Sequence, residues 1–174
     1  GATYILLARA IESGEGYTST WVPGHPPHVR YPPGYPVLLA WVECVAGRGL
    51  QTVRLVSVAS TLLALAAAYA LFRVLLGRNG AVGCTAILLA APTLWRYASA
   101  PLSEAATQAL VVASLALGEA WTTRRGRGAP LLGIGLVLAA LAFAFRVAGV
   151  ALLGAWVLAA AWPREATDRR RRFA

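Results

Sequence analysis

From Val37 onward the chain is a succession of apolar runs, interrupted only briefly by polar or basic residues. The longest runs cover Leu55–Phe72, Ala81–Trp95, Pro101–Trp121, Ala129–Phe145 and Val147–Trp162. A helix that crosses a bilayer needs about 20 apolar residues, with about 17 tolerated. The pattern therefore predicts an all-α, polytopic transmembrane bundle of about five spans over residues 53–162. Residues 1–36 read differently. Tyr4–Ile11 has helical apolar spacing, and Ser13-Gly14-Glu15-Gly16 stops it. Thr18–Pro36 reads as irregular loop, closing on Tyr31-Pro32-Pro33-Gly34-Tyr35-Pro36, where three prolines and a glycine disfavour both helix and sheet interior. Residues 37–47 are too short to span and contain Glu43, which suits an interfacial or re-entrant helix with Trp41 at headgroup level. Residues 163–174 form a basic tail.

Composition sharpens the class. The chain is 58% hydrophobic and 13% charged, a balance rare in soluble domains and expected of an integral, multi-pass protein of the cell membrane. The net charge is +9 and every cation is an arginine. Most of these arginines cluster at 73–78, 124–127 and 164–172, between or after apolar runs. With five crossings all three clusters fall on one face, the cytoplasmic one by the positive-inside rule. Anionic lipid is their expected partner, and no motif for nucleic acid accompanies them. The absence of methionine is what an internal or processed piece of a longer protein is expected to show. Cys44 and Cys84 lack metal or redox spacing and read as buried small side chains.

The opposite face then collects Glu12, Glu15, His25, His28, Arg30, Tyr31, Tyr35, Arg96, Tyr97, Glu104 and Arg146. Polar groups at membrane depth are costly, so each is a candidate for function. Glu104, in the first turn of its predicted helix, either complements the helix dipole or serves as a site acid; position alone leaves both open. Arg146, a cation on the non-cytoplasmic side, gains a reason to be there if it pairs with phosphate. Arg96 and Tyr97 read as anchors of a span end. His25 and His28 have no third ligand and read as solvated loop residues, and Glu12 and Glu15 as a solvated helix end. No metal set is visible, and Walker A, Gly-x-Ser-x-Gly and His-Glu-x-x-His motifs are missing.

The residues that carry a family resemblance run in order along the chain. Tyr4–Ile11 with Gly14-Glu15-Gly16-Tyr17 resembles the first outer loop of GT-C superfamily membrane glycosyltransferases, of the protein mannosyltransferase and aminoarabinose transferase type. Tyr31–Pro36 followed by Val37-Leu38-Leu39-Ala40 resembles the proline-rich element before their second span, and Val53-Arg54-Leu55 the start of that span. Tyr97–Ala105 resembles the second outer loop with its acidic residue, and Phe143–Gly149 a later turn where a cation meets the donor phosphate. The resemblance implies transfer of a sugar from a polyprenyl phosphate to an acceptor outside the cytoplasm. Glu104 would position the acceptor or help bind a divalent cation. Arg146, and with it Arg30 and Arg96, would serve the donor, and Tyr31 and Tyr35 would shape the covering loop. One departure stands out. The family carries a catalytic aspartate shortly before the position of Tyr4, and here that place reads Gly1-Ala2-Thr3. Either truncation removed that residue or this copy is inactive. The rival readings are a lipid-binding scaffold, which needs no base, and a transporter, which would place its polar groups near the midplane.

Overall fold

The computed structural model describes residues 1–123 and 129–161. They form seven α-helices and one 3₁₀ turn: α1 (Ala2–Glu12), α2 (Gly34–Ala46), α3 (Leu50–Ala90), α4 (Pro92–Ser99), α5 (Ser103–Thr123), α6 (Ala129–Phe145), a 3₁₀ turn Val147–Gly149, and α7 (Val150–Ala161). Among the described residues there is no named strand, only an isolated bridge between Thr18 and Pro27. The basic residues Arg124, Arg125 and Arg127 and the tail from Trp162 onward, with Arg164 and the 169–172 run, lie outside the described residues.

The long α3 is two helices. Gly77 has φ 72° and ψ −176°, a conformation that glycine adopts without the Cβ penalty of other residues. A straight helix would carry Ala90 about 38 Å from Leu65 at about 1.5 Å per residue. Five further residues, at about 3.5 Å each, could not bring Trp95 back. Yet Trp95 and Ala98 line a pocket with Val58, Thr61, Leu62 and Leu65. The chain therefore folds back at Gly77, and residues 50–76 run against 78–99.

The second leg breaks at Ala91, which is extended (φ −74°, ψ 118°) ahead of Pro92 at the start of α4. Proline lacks the N–H that would continue the ladder, and its ring pushes the preceding residue out of the helical region. The Trp95 indole donates to the Leu89 carbonyl at 2.9 Å and so satisfies a group left near that break. The apolar run expected to be one span over 81–95 is thus two helical pieces, and α4 meets α5 at a bend of 117°.

By length and composition, α3 is apolar enough to cross a membrane, and the bent pair α4–α5 counts as one more. α2, α6 and the segment 147–161 are shorter apolar helices. Packing among α5, α6 and α7 rests on a polar lock in an apolar setting. The Trp156 indole donates to Ser114 Oγ at 2.6 Å, and Ser114 donates to the Gly135 carbonyl at 3.1 Å. Gly135 accepts the face of Trp156 because it has no Cβ; one there would collide with the ring.

Neither cysteine is fully buried: Cys44 is exposed and Cys84 half-buried, on helix surfaces where apolar side chains also face outward. An apolar residue gains burial from lipid as well as from protein, so composition alone did not force them inward.

Candidate functional site

The site forms where α1, α2, the start of α5 and the α6–α7 turn converge. α1 and α2 lie with their N-terminal ends together, Tyr4 and Tyr35 meeting edge to face at 5.1 Å. Gly34 begins α2 rather than ending a loop. A Cβ on it would stand 2.6 Å from the Ala144 carbonyl and 2.7 Å from the Phe145 ring, so glycine lets α2 sit directly on the end of α6. Pro36 is tolerated because it falls in the first helical turn, where backbone N–H groups have no intrahelical acceptor. The proline-rich hexapeptide therefore divides: Tyr31–Pro33 lead in, and Gly34–Pro36 open the helix.

Two residues distant in sequence form the charged centre. Arg146 is extended (φ −156°, ψ 133°) and interrupts the apolar run between α6 and α7. Gly149 brings the returning backbone against Ala142 and Phe143, an approach that a Cβ would block. From this turn Arg146 Nη1 donates to Glu104 Oε1 at 2.8 Å. Glu104 Oε2 is buried without a hydrogen-bond partner. The Arg146 side chain is 49% exposed, which leaves its remaining N–H groups free of that contact and open to a ligand. Ser103, just before Glu104, shares a hydrogen bond with the Tyr4 hydroxyl at 3.1 Å. Ser57 donates to the Ala100 carbonyl at 2.9 Å and ties α3 to the same end.

An aromatic column rises from this centre. Phe145 meets Tyr35 at 6.2 Å, Tyr35 meets Tyr4, Tyr4 meets Tyr31 at 5.1 Å, and His28 stacks on Tyr31 at 5.6 Å and 21°. Tyr17 and Trp21 flank His28 at 5.5 and 5.7 Å. The Tyr17 hydroxyl donates to the Tyr31 carbonyl at 2.8 Å and Ser19 bonds His28 Nδ1 at 3.0 Å, so the loop closes on the column through polar contacts as well. Tyr35 is fully buried, its hydroxyl unpartnered; burial pushes its pKa up, against a smaller opposing effect of Ser57. Burial also pushes Tyr17 up to about 12, and it lowers His28, with Arg30 adding to the effect.

Of the residues singled out from sequence, Glu104, Arg146, Tyr31 and Tyr35 gather here. Arg30 sits at the rim, its guanidinium 5.6 Å from the Tyr31 ring centre. Arg96 lies exposed near the end of α4 and makes no side-chain contact with this group. His28 is half-buried in its aromatic cage rather than solvated, and His25 pairs with Glu15 at 3.2 Å on the exposed loop. Tyr4, Ser103, Ser57 and Phe145 complete the surroundings and were not singled out as site residues. A small hydroxyl or an apolar ring carries no mark in one sequence that separates a site from a core. No group of three His, Cys, Asp or Glu suited to a metal occurs among the described residues.

Beside the charged pair opens an apolar groove of about 500 Å³ between α2, α3, α5 and α6. Gly34, Val37, Trp41, Leu63, Leu110 and Phe145 are among its walls. Glu104 and Arg146 are not among its walls; the groove comes near them in the chain, since Phe145 directly precedes Arg146 and Ala106 follows Glu104 by two positions.

The sequence profile of the dolichyl-phosphate-mannose-protein mannosyltransferase family matches residues 30–172. That range takes in the proline-rich element, Glu104 and Arg146. No curated protein and no solved structure matches the chain.

Proposed function

The chain belongs to the dolichyl-phosphate-mannose-protein mannosyltransferase family, and on that premise we propose that it takes part in sugar transfer from a polyprenyl-phosphate donor on the non-cytoplasmic side of the membrane. The observation that carries this reading is the Glu104–Arg146 ion pair, set on α5 and just after α6, two helices that also supply walls of the apolar groove. A lipid-linked sugar needs a long apolar channel for the tail, a cation for the phosphate at its end, and an acceptor-binding group beside that cation. The groove, Arg146 and Glu104 offer these three kinds of group.

In this reading the phosphate meets the exposed part of the Arg146 guanidinium. Arginine suits phosphate because its planar fork can donate two parallel hydrogen bonds. Glu104, bound through one oxygen, fixes the fork, and its other oxygen, unpartnered but covered, serves an acceptor hydroxyl or amine once the acceptor displaces what covers it. Transfer breaks the bond between the sugar carbon and the phosphate oxygen and forms one to the acceptor, whose proton passes to a base, the role that falls to the aspartate the family carries before the position of Tyr4. Negative charge grows on the leaving phosphate, and Arg146 stabilises it most as the bond breaks. Tyr31, Tyr35 and Tyr4 wall the space above, with Arg30 at its rim.

The proposed topology has five crossings. In its favour, Ser57–Ala100, Tyr4–Ser103 and Glu104–Arg146 all meet at one end of the bundle. The Gly77 fold-back, with Arg73 and Arg78 around it, lies at the far end of the first helical leg, about 30 Å from Ser57. Arginines at that end suit the cytoplasmic face.

The test is donor capture, using membranes that carry the chain and a radiolabelled polyprenyl-phosphate mannose. Hydrogen bonds to charged groups contribute about 1.5–3 kcal/mol. Arg146→Ala is therefore expected to weaken capture by roughly ten- to a hundredfold. Capture unchanged in Arg146→Ala contradicts the assignment of the phosphate to this residue.

A further inference from the structure

A second polar centre lies at the opposite ends of α1 and α2 from the aromatic column. Glu12 is the last residue of α1, and Glu43 stands in the last turn of α2. Because Tyr4 and Tyr35 pair at the other end, an equal count of eight residues along each helix brings both carboxylates to one corner. The loop after α2 fixes that corner. Arg48 Nε donates to Glu12 Oε2 at 2.6 Å, and the neighbouring Gly49 N–H donates to Glu43 Oε1 at 3.3 Å. Both side chains are withdrawn from solvent: Glu43 is 2% exposed and the Glu12 side chain 9%. One oxygen on each, Glu12 Oε1 and Glu43 Oε2, is buried with no partner.

Charge at this corner does not balance. Two carboxylates face a single guanidinium, which is itself 61% exposed. The negative ends of two helix dipoles point to the same place, where a carboxylate is disfavoured. Arg9, a turn before Glu12, makes no ion pair among the described residues. An unpaired buried carboxylate oxygen costs several kcal/mol unless a cation or donor meets it. Glu104 and Arg146 belong to the other end, and neither Glu12 nor Glu43 lines the apolar groove, so nothing in sugar transfer accounts for this arrangement.

We propose that Glu12 and Glu43 hold a divalent cation of the hard, oxygen-seeking kind, calcium or magnesium, as a clamp between α1, α2 and the start of α3. Two carboxylates with water and carbonyl oxygens are a sufficient protein contribution for such ions, which need no nitrogen or sulfur ligand. The cation neutralises the excess negative charge and ties together the two helices whose other ends build the aromatic column.

Calcium and magnesium titrations of the EDTA-stripped chain in detergent micelles, by calorimetry and by thermal unfolding, test this. One ion per chain should bind and raise the unfolding temperature. Glu12→Gln and Glu43→Gln should each weaken binding by about tenfold or more. Arg48→Gln removes a competing positive charge and should tighten binding, an effect opposite to that of losing a purely structural ion pair. Glu104→Gln should bind as the parent does. Because Glu43→Gln alters a deeply buried group and can fail to fold, Glu12→Gln and Arg48→Gln decide independently. No ion bound by the parent chain, binding indifferent to Glu12→Gln, or binding lost in Glu104→Gln each overturns the proposal.

Discussion

Single atoms decide several features of this fold. Gly34 has room for nothing beyond hydrogen between α2 and the end of α6. Gly34→Ala should lower stability by about 1–3 kcal/mol, the usual cost of overpacking, and thermal unfolding in micelles measures it. His28 is the residue whose charge state matters most to the outer loop. Burial beside the Arg30 charge lowers its pKa from 6.5, so the folded chain binds its proton less readily than the unfolded chain. The contribution of neutral His28 is complete above pH 6.5 and is lost as pH falls from there through the lowered value. Hydrogen exchange across residues 17–31 should accelerate over that window in the parent chain and stay flat in His28→Gln; equal acceleration in both would assign the effect to another group. From sequence His28 reads as a solvated loop residue, because the cage of Tyr17, Trp21 and Tyr31 forms only when Thr18 meets Pro27 and the loop closes. Glu12 misleads in the same way. At a helix end a glutamate is ordinarily solvated, and only Arg48, 36 positions later, shows that its side chain is covered.

Helices were legible to the extent that local rules govern them. The apolar spacing of Tyr4–Ile11 became α1, and the run 37–46 became part of α2. The stretch 55–95 reads as two runs, 55–72 and 81–95, parted by the basic cluster at 73–78, and the break at Gly77 falls in that gap. Its two breaks sit at Gly77 and at Ala91–Pro92, and only the second has a residue that compels it. Gly77 adopts a positive φ because the chain must return to cover Leu65; the gap between the two runs shows the turn, and packing fixes the residue at which it is made. Gly77→Leu forces a branched side chain into that conformation and should destabilise the fold-back by about 1 kcal/mol or more. The α5–α6–α7 lock gives a sharper test at the same scale. Trp156→Phe keeps the ring and deletes the indole donor, which leaves Ser114 its bond to Gly135. The expected cost is about 0.5–1.5 kcal/mol. Gly135→Ala meets the Trp156 ring and should cost more than Trp156→Phe; the reverse order would show that the lock is not held by close packing.

The molecule as a whole is helical, and the Glu104–Arg146, Tyr4–Ser103 and Ser57–Ala100 contacts meet at one end of its apolar legs. That much follows from composition: with so little charge available, each buried or paired charge marks a place where segments meet. Sequence alone gave Glu104 and Arg146 as separate candidates on separate loops. Their pairing depends on how α5 and α6 cross, and a resemblance between local motifs carries no such information. Topology can be read with single cysteines in a chain in which Cys44 and Cys84 are replaced. Ser99→Cys and Arg78→Cys should react with impermeant reagents from opposite sides of the membrane, Arg78→Cys from the cytoplasmic one; labelling of both from one side contradicts the five-crossing arrangement. The central claim is that the Glu104–Arg146 pair receives a lipid-linked sugar phosphate. Its most direct measurement is the capture of radiolabelled polyprenyl-phosphate mannose by the parent chain and by Arg146→Ala in the same membranes. The account predicts capture by the parent and a roughly ten- to hundredfold weaker capture by the variant, whereas equal capture by the two would contradict it.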